Sequence, residues 1–232
     1  MTRPHPWTRC ADTPFDRLMH YGRHVWYDHD HHNRVMMKVR GTEGQPMKVT
    51  REQAKENRAR VLQVAGRLFR EKGLDGIGVD GLMKGAGLTH GGFYANFTSK
   101  EDLMAQACEH ALAELVTGWS KVVGGANGDP LTAVVAGYLS ASHRDDPGNG
   151  CVLAALGTDL ARKSPAVRHG VTEGMRRFIA LLTRIVPGRS RVARRKRALA
   201  LYASLVGAMV LARAVDDPAL SKEILQAVAA SV

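Results

Sequence analysis

Apolar residues recur at helical spacing from Thr50 onward. Intervals of one, three and four residues separate Val61, Leu62, Ala65, Leu68 and Phe69. This spacing places their side chains on one face of an α-helix. Thr50-Arg-Glu-Gln53 has the form of a capping box, and Gly73 is the residue type that commonly follows a helix. Together these signals predict a helix of about 21 residues.

Similar start and stop signals divide the rest of the chain. A second capping box, Ser99-Lys-Glu-Asp102, opens a long helix that we expect to end at Gly124-Gly125. Proline follows an N-cap residue at positions 130, 165 and 218, as it does at the first position of many helices. The other predicted helices are 79–86, 89–97, 130–142, one from Cys151 and 191–214, with a loop at 143–150. Since no run keeps the two-residue alternation of a strand, the sequence predicts an all-α fold of about nine helices.

The first 46 residues lack this helical spacing. They hold six histidines: His5, His20, His24, His29, His31 and His32. Because little apolar surface is available for burial, we expect residues 1–46 to be a poorly ordered extension. The run Asp28–His32 suggests opportunistic metal binding. The favoured alternative is that translation naturally starts at Met47, and no dedicated metal site is expected.

The overall charge points to a polyanionic partner. Lys and Arg number 33 against 22 Asp and Glu, so the net charge is +11. The three cysteines form no CxxC pair, which fits a reducing cytosol. No run of about 18 consecutive apolar residues occurs, and the N-terminus has no secretory pattern, so we expect a cytoplasmic protein without a membrane span. No cofactor is implied.

The segment 86–103 carries the functional signal. It reads as a short helix, a glycine-hinged turn, a second short helix and a capped third helix, which is helix-turn-helix geometry. Phe93 and Phe97 lie four residues apart and face inward, whereas His90 and Tyr94 lie on the opposite face. Side chains of these types can bind phosphates and base edges. Lys100 adds a positive charge at a helix N-terminus.

These residues resemble the TetR family of bacterial transcriptional regulators. The matching positions are Ala86, Gly87, Leu88, Thr89, Gly91, Tyr94, Asn96, Phe97, Ser99, Lys100, Glu101 and Leu103. The resemblance covers about 60 residues, roughly 50–110. It implies a helix-turn-helix DNA-binding domain at 47–110 and a ligand-binding and dimerisation domain at 111–232. It also implies a homodimer on a pseudo-palindromic double-stranded operator, and no enzymatic activity.

The resemblance assigns the expected DNA contacts. They are Thr89, His90, Gly91, Gly92, Tyr94, Asn96 and Lys100. Two positions depart from the family pattern. Gly78 stands where a Thr or Ser often caps the second helix and touches phosphate, and Gly92 replaces a side chain of the recognition helix. The arginine-rich stretch 189–197 is interpreted as a solvated helix start rather than a second nucleic-acid patch.

The C-terminal half resembles the family only loosely. Candidate pocket residues, chosen for size and inward direction, are Trp119, Tyr138, Cys151, Leu156, Met175 and Phe178, with plain core packing as the alternative for each. Leu201, Leu205 and Ala208 have core spacing, and we expect a second copy of the chain to cover them together with the stripe of the last helix.

The expected function is that of a repressor released from its operator by a small-molecule inducer. Alternatives are an activator, a redox or electrophile sensor acting through Cys151, and a helical ligand-binding protein without a regulatory role. Cys151 follows Asn149-Gly150 at a predicted helix start, where a thiol becomes more acidic. A buried cysteine that merely packs is the competing interpretation.

Overall fold

The computed structural model describes residues 50–232, in which all regular secondary structure is helical. Their α-helices are α1 (Arg51–Lys72), α2 (Val79–Gly85), α3 (Lys100–Gly125), α4 (Pro130–Tyr138), α5 (Ala141–Asp145), α6 (Val152–Leu160), α7 (Pro165–Ile185), α8 (Arg191–Ala214) and α9 (Pro218–Ala230). Short 3-10 turns occur at His90–Gly92 and Pro147–Asn149. The all-α prediction is confirmed. The His-rich run at 28–32, like the whole predicted extension, lies outside the described residues.

Capping side chains fix the main helix starts. The Thr50 hydroxyl accepts a hydrogen bond from the Gln53 amide at 3.1 Å, and the Ser99 hydroxyl accepts one from the Asp102 amide at 3.0 Å. The Asp102 carboxylate in turn accepts from the Thr98 amide at 2.9 Å. Gly73 ends α1 at a φ of +79°, a backbone conformation that residues other than glycine rarely adopt. Both predicted starts and the end of α1 are therefore confirmed.

Two predicted helices differ from the structure. Residues 89–97 form a 3-10 turn followed by hydrogen-bonded turns rather than one α-helix. The adjacent Gly91 and Gly92 explain this, because each glycine lowers helix stability by about 1 kcal/mol. The predicted helix 130–142 stops at Tyr138, because the Ser140 hydroxyl accepts from the His143 amide and starts α5.

The buried residues form two clusters. The first joins α1, α2 and the start of α3 to residues of α6 and α7, including Leu156 and Val167. The second joins α4, the end of α7, α8 and α9. The boundary predicted near residue 110 stays a prediction, since the first cluster draws side chains from both sides of it.

Helix α8 bears on the membrane expectation and corrects the expectation about its core residues. Among the described residues it is the helix that is long and apolar enough to cross a membrane by length and composition alone, and 39% of its apolar window is buried. A core helix passes the same test, so this finding is weak evidence for a span. Leu201, Leu205 and Ala208 are buried within one chain and need no partner to cover them. The uncovered face is instead the outer stripe of α8, which comprises Ala203, Gly207, Val210, Leu211 and Ala214.

Candidate nucleic-acid interface and ligand cavity

A tight turn joins α2 to the predicted recognition segment. Gly87 adopts a φ of +70°, and the Leu88 amide donates to the Met83 carbonyl at 2.9 Å. The Gly92 amide then donates to the Thr89 carbonyl at 3.0 Å, which closes the 3-10 turn. The chain thus reverses within a few residues and presents the segment 89–97 beside α2.

The inner face of this segment is aromatic. Phe93 and Phe97 are almost fully buried, and their ring centroids lie 5.8 Å apart. The Arg58 guanidinium of α1 lies 5.3 Å from the centre of the Phe97 ring. This packing anchors the segment against α1, and the predicted inward direction of both phenylalanines is confirmed.

The outer face carries the expected DNA-contacting side chains. Tyr94 is 68% exposed, and its ring packs edge-on against Phe93. His90 is also exposed, and its Nδ1 bonds the carboxylate of Asp80 in the first turn of α2. A Cβ added to Gly91 would meet no atom within 4 Å. Sequence reasoning missed Asp80, because its position ten residues from His90 becomes a contact only through the turn.

Lys100 occupies the first position of α3. Its side chain is partly exposed, and the helix start beside it is capped by Ser99. Hydrogen bonds from Thr98, followed by one from Gln106, hold the pKa of the neighbouring Asp102 carboxylate below its usual range. A cation beside oriented backbone amides is suited to a phosphate.

Other predicted contact residues have local structural roles. The Asn96 side-chain amide donates to the Gly92 carbonyl at 2.9 Å, so it stabilises the turn. Thr89 precedes the 3-10 turn but makes no capping hydrogen bond through its side chain. Gly78 likewise gives α2 no side-chain cap. A Cβ on Gly92 would lie 3.7 Å from Met83, within ordinary contact distance.

Comparisons with known proteins agree with this geometry. Residues 61–107 match the model of the family described as bacterial regulatory proteins, tetR family. The chain is 37% identical over 60 residues to the HTH-type transcriptional regulator AcrR of Shigella flexneri, and 32% identical over 72 residues to an HTH-type transcriptional regulator of Staphylococcus aureus. These stretches cover 26% and 31% of this chain, and 28% and 39% of the two relatives. Residues 61–107 are therefore similar to the TetR family, and the matched stretches span less than half the length of the two curated relatives.

Solved structures extend the similarity beyond the matched segment. The reduced form of NemR from E. coli covers 76% of the chain at 23% identity with a TM-score of 0.65, and 94% of that protein is covered. A TetR-family regulator from Agrobacterium tumefaciens covers 77% at 21% identity with a TM-score of 0.64, and 98% of it is covered. At such identities the likeness concerns the fold, a helix-turn-helix followed by a helical C-terminal half.

A cavity of about 570 Å³ lies between α3 and the segment 140–151. Its walls include apolar groups of α3 and α4 and polar groups of the connecting segment. Its lining residues include Arg70, Glu114, Leu115, Trp119, Asp146 and Cys151. The volume suits a small organic molecule.

Two of the six predicted pocket residues line the cavity. Trp119 and Cys151 line it. Phe178 is fully buried and packs edge-on against Tyr202 at 4.9 Å, so it belongs to the second core cluster. Tyr138 is fully buried in the same cluster.

Leu156 and Met175 also pack in the core. Leu156 lies in the first core cluster, and Met175 packs against both clusters. Contact of these side chains with a ligand stays a prediction. The polar segment that forms much of the wall has no periodic pattern that would have revealed it.

His143 holds the start of α6 in place. Its Nδ1 donates to the Tyr138 carbonyl at 2.7 Å, and its Nε2 accepts from the Cys151 amide at 2.9 Å. The ring is therefore neutral with the proton on Nδ1, and burial lowers its pKa. Cys151 itself is fully buried, with its sulfur 3.8 Å from the Tyr202 hydroxyl oxygen.

Two arginines tie the segment 143–150 to the helices around it. Arg70, near the end of α1, donates through Nε at 2.7 Å and through Nη2 to the Gly148 carbonyl. Arg213, near the end of α8, donates to the carbonyls of Arg144 and His143. The wall of the cavity is thus bonded directly to the first helix of the helix-turn-helix domain.

Proposed function

We propose that this protein is a cytoplasmic, dimeric regulator that represses transcription by binding a specific double-stranded DNA operator. The observation that carries the proposal is the outer face of the segment 89–100. It combines an exposed Tyr94, an oriented His90 and a cation at Lys100 on a rigid aromatic base. The names of the two curated relatives, both HTH-type transcriptional regulators, support it.

A second copy of the chain is needed for specific binding. A single helix-turn-helix reads one half-site, and two copies related by two-fold symmetry read a pseudo-palindrome. The outer stripe of α8 supports this part of the proposal. Val210 and Leu211 are 42% and 57% exposed on it, and small residues lie between them and Ala203. An apolar stripe with small residues allows close approach of a partner helix.

We propose further that a small molecule releases the protein from DNA, and the position of the cavity supports this part of the proposal. Trp119 of α3 lines it, and the same helix begins at Lys100 on the proposed DNA face. A ligand that prefers one position of α3 would change the separation of the two recognition segments. Inverting a 99:1 population requires about 10⁴-fold preference for the favoured state.

Selection of bound duplexes from a random pool tests the DNA proposal. We expect the full chain to enrich a pseudo-palindrome whose half-sites lie about 34–36 Å apart, or a multiple of that spacing. Occupancy of this sequence by the protein should lower transcription from a promoter that overlaps it. Failure to enrich any sequence at moderate salt would leave a helical ligand-binding protein as the better proposal, and raised transcription would indicate an activator.

A further inference from the structure

Within the described part of the chain, two partly buried arginines near the cavity have no carboxylate within ion-pair distance. Arg70 lines the cavity, and it shares a second cleft of about 280 Å³ with Arg213. Among residues 50–232, neither guanidinium forms an ion pair. Burial lowers the pKa of both groups, yet arginine stays charged in proteins. A buried charge without a counter-charge is unfavourable.

Both arginines use their N–H groups on neutral carbonyl oxygens. The Nε and Nη2 of Arg70 converge on the single carbonyl of Gly148. Arg213 Nη1 is buried and has no hydrogen-bond partner among the described residues. Arg70, which lines the cavity, thus spends two donors on one neutral oxygen, and the adjacent Arg213 keeps one donor without a partner in residues 50–232.

The neighbouring carboxylates of Asp146 and Glu114 attract Arg70 electrostatically, but neither forms an ion pair with it. Asp146 accepts hydrogen bonds from the backbone and side-chain nitrogens of Asn149, at 3.2 and 2.7 Å. Glu114 is exposed, and its carboxylate lies 3.5 Å from His110 Nδ1. Each of these acidic groups is directed toward a partner other than Arg70.

We propose that the cavity binds an organic carboxylate and that Arg70 is its charged contact. The Nε–Nη2 edge of a guanidinium binds both oxygens of a carboxylate with two parallel hydrogen bonds. In the present structure that edge holds one neutral oxygen of Gly148. An entering carboxylate takes this edge, and its apolar body lies against Trp119 and Leu115.

Carboxylate binding therefore breaks a bond between α1 and the segment 143–150. Arg70 belongs to α1, whose buried face packs with the helix-turn-helix residues of the first core cluster. Losing the Gly148 bond removes one direct link between that domain and the cavity wall. This consequence rests on the proposed function, whereas the binding of the carboxylate does not.

Titration calorimetry on the full chain tests the binding step. The probes are 1-naphthoate and the neutral 1-naphthamide, which share one aromatic body. A charge-assisted contact predicts about 10-fold tighter binding of naphthoate. Inorganic phosphate has no apolar body and should not compete with it. Equal affinity for the two probes, or no binding of naphthoate, would overturn the proposal.

Variants of α1 locate the contact. Arg70→Gln should lose the preference for naphthoate and keep the affinity for naphthamide, whereas Arg60→Gln changes an exposed arginine of the same helix and should keep the preference. Retention of the preference by Arg70→Gln would exclude Arg70 as the contact.

If the Arg70→Gln variant binds neither probe, hydrogen exchange of the wild-type chain tests the contact instead. Faster exchange of amides 148–150 with naphthoate, and not with naphthamide, supports displacement of the Gly148 carbonyl, and unchanged exchange refutes it.

The calorimetric samples contain no DNA, so the measured affinities for the two probes do not depend on operator binding. A chain that selects an operator but binds both probes equally retains the proposed function and loses this inference. A chain that prefers naphthoate but selects no operator retains the carboxylate site and loses the proposed function.

Discussion

Single side chains of the segment 89–100 are expected to divide the work of DNA recognition. His90 is exposed and its ring is oriented by Asp80, whereas Lys100 lies at a helix start. Base contacts specify a sequence, and phosphate contacts add affinity without specifying one. The two residues should therefore respond differently to substitution.

We expect Lys100→Ala to weaken binding to specific and random duplexes by similar factors. It should also reduce the slope of log affinity against log salt by about 1, because one phosphate contact is lost. His90→Ala should instead change the bases that are enriched from a random pool. Fluorescence anisotropy across a salt series measures the first effect. A Lys100→Ala variant with altered base preference and an unchanged salt slope would contradict this division of roles.

His143 is expected to make stability depend on pH. Its Nε2 accepts the Cys151 amide proton, and a protonated ring cannot accept. The charged or titratable groups around it are Arg213, Asp146, Tyr138 and Cys151. Since burial lowers the pKa of His143, its contribution is complete above the unfolded value, about 6.5, and is lost as the pH falls toward the folded value.

Urea denaturation between about pH 7.5 and pH 5.5 checks this dependence. The wild-type chain should lose stability as the pH falls through this interval. The His143→Gln variant has no titrating side chain at position 143. It should be less stable at pH 7.5, and its stability should change less with pH. Parallel profiles for the two chains would indicate that other groups cause the dependence.

At the scale of helices, side-chain caps allow the helix starts to be predicted from the sequence. Each of Thr50, Ser99, Asp129 and Asp217 accepts a hydrogen bond from the first turn that follows it. Such caps are local, so their residues appear as short patterns in the sequence. The segment 89–97 could not be predicted as well, because its aromatic spacing indicates a helix while its paired glycines weaken one.

Ser99→Ala tests the importance of one cap. It should reduce the free energy of unfolding by about 1 kcal/mol, because the Asp102 amide loses its acceptor. DNA affinity should fall as well, since α3 begins with Lys100. Ser120→Ala on the same helix is the control. Its hydroxyl bonds the Val116 carbonyl four residues back, an interaction that contributes little to helix stability.

Chemical denaturation of the two serine variants measures the difference. Equal losses in both would show that the Ser99 cap is not what stabilises the start of α3. A stable Ser99→Ala chain with weaker DNA binding would instead assign the hydroxyl to the proposed interface.

At the scale of the whole molecule, the cavity was harder to predict than the fold. The core of a helical protein follows from apolar spacing, which is why Phe178 and Leu156 were found as large inward residues. The cavity wall depends on contacts over long sequence separations. The bond from Arg70 to Gly148 joins residues 78 positions apart, and no local pattern signals it.

Dimerisation through the outer stripe of α8 gives the last prediction. A Cβ added to Gly207 would meet no atom within 4 Å of the same chain. The single chain can therefore accept a large side chain at this position, whereas a packed partner helix cannot. We expect Gly207→Trp to be a folded monomer that binds DNA weakly, since one half-site supplies only part of the contacts. Gly157→Trp is the control, because Gly157 is equally free of neighbours but lies on α6. Sedimentation velocity measures the mass and circular dichroism the helix content. An unchanged dimer for Gly207→Trp would move the interface away from this face of α8, whereas a monomer from both variants would show that the effect is not specific to the stripe.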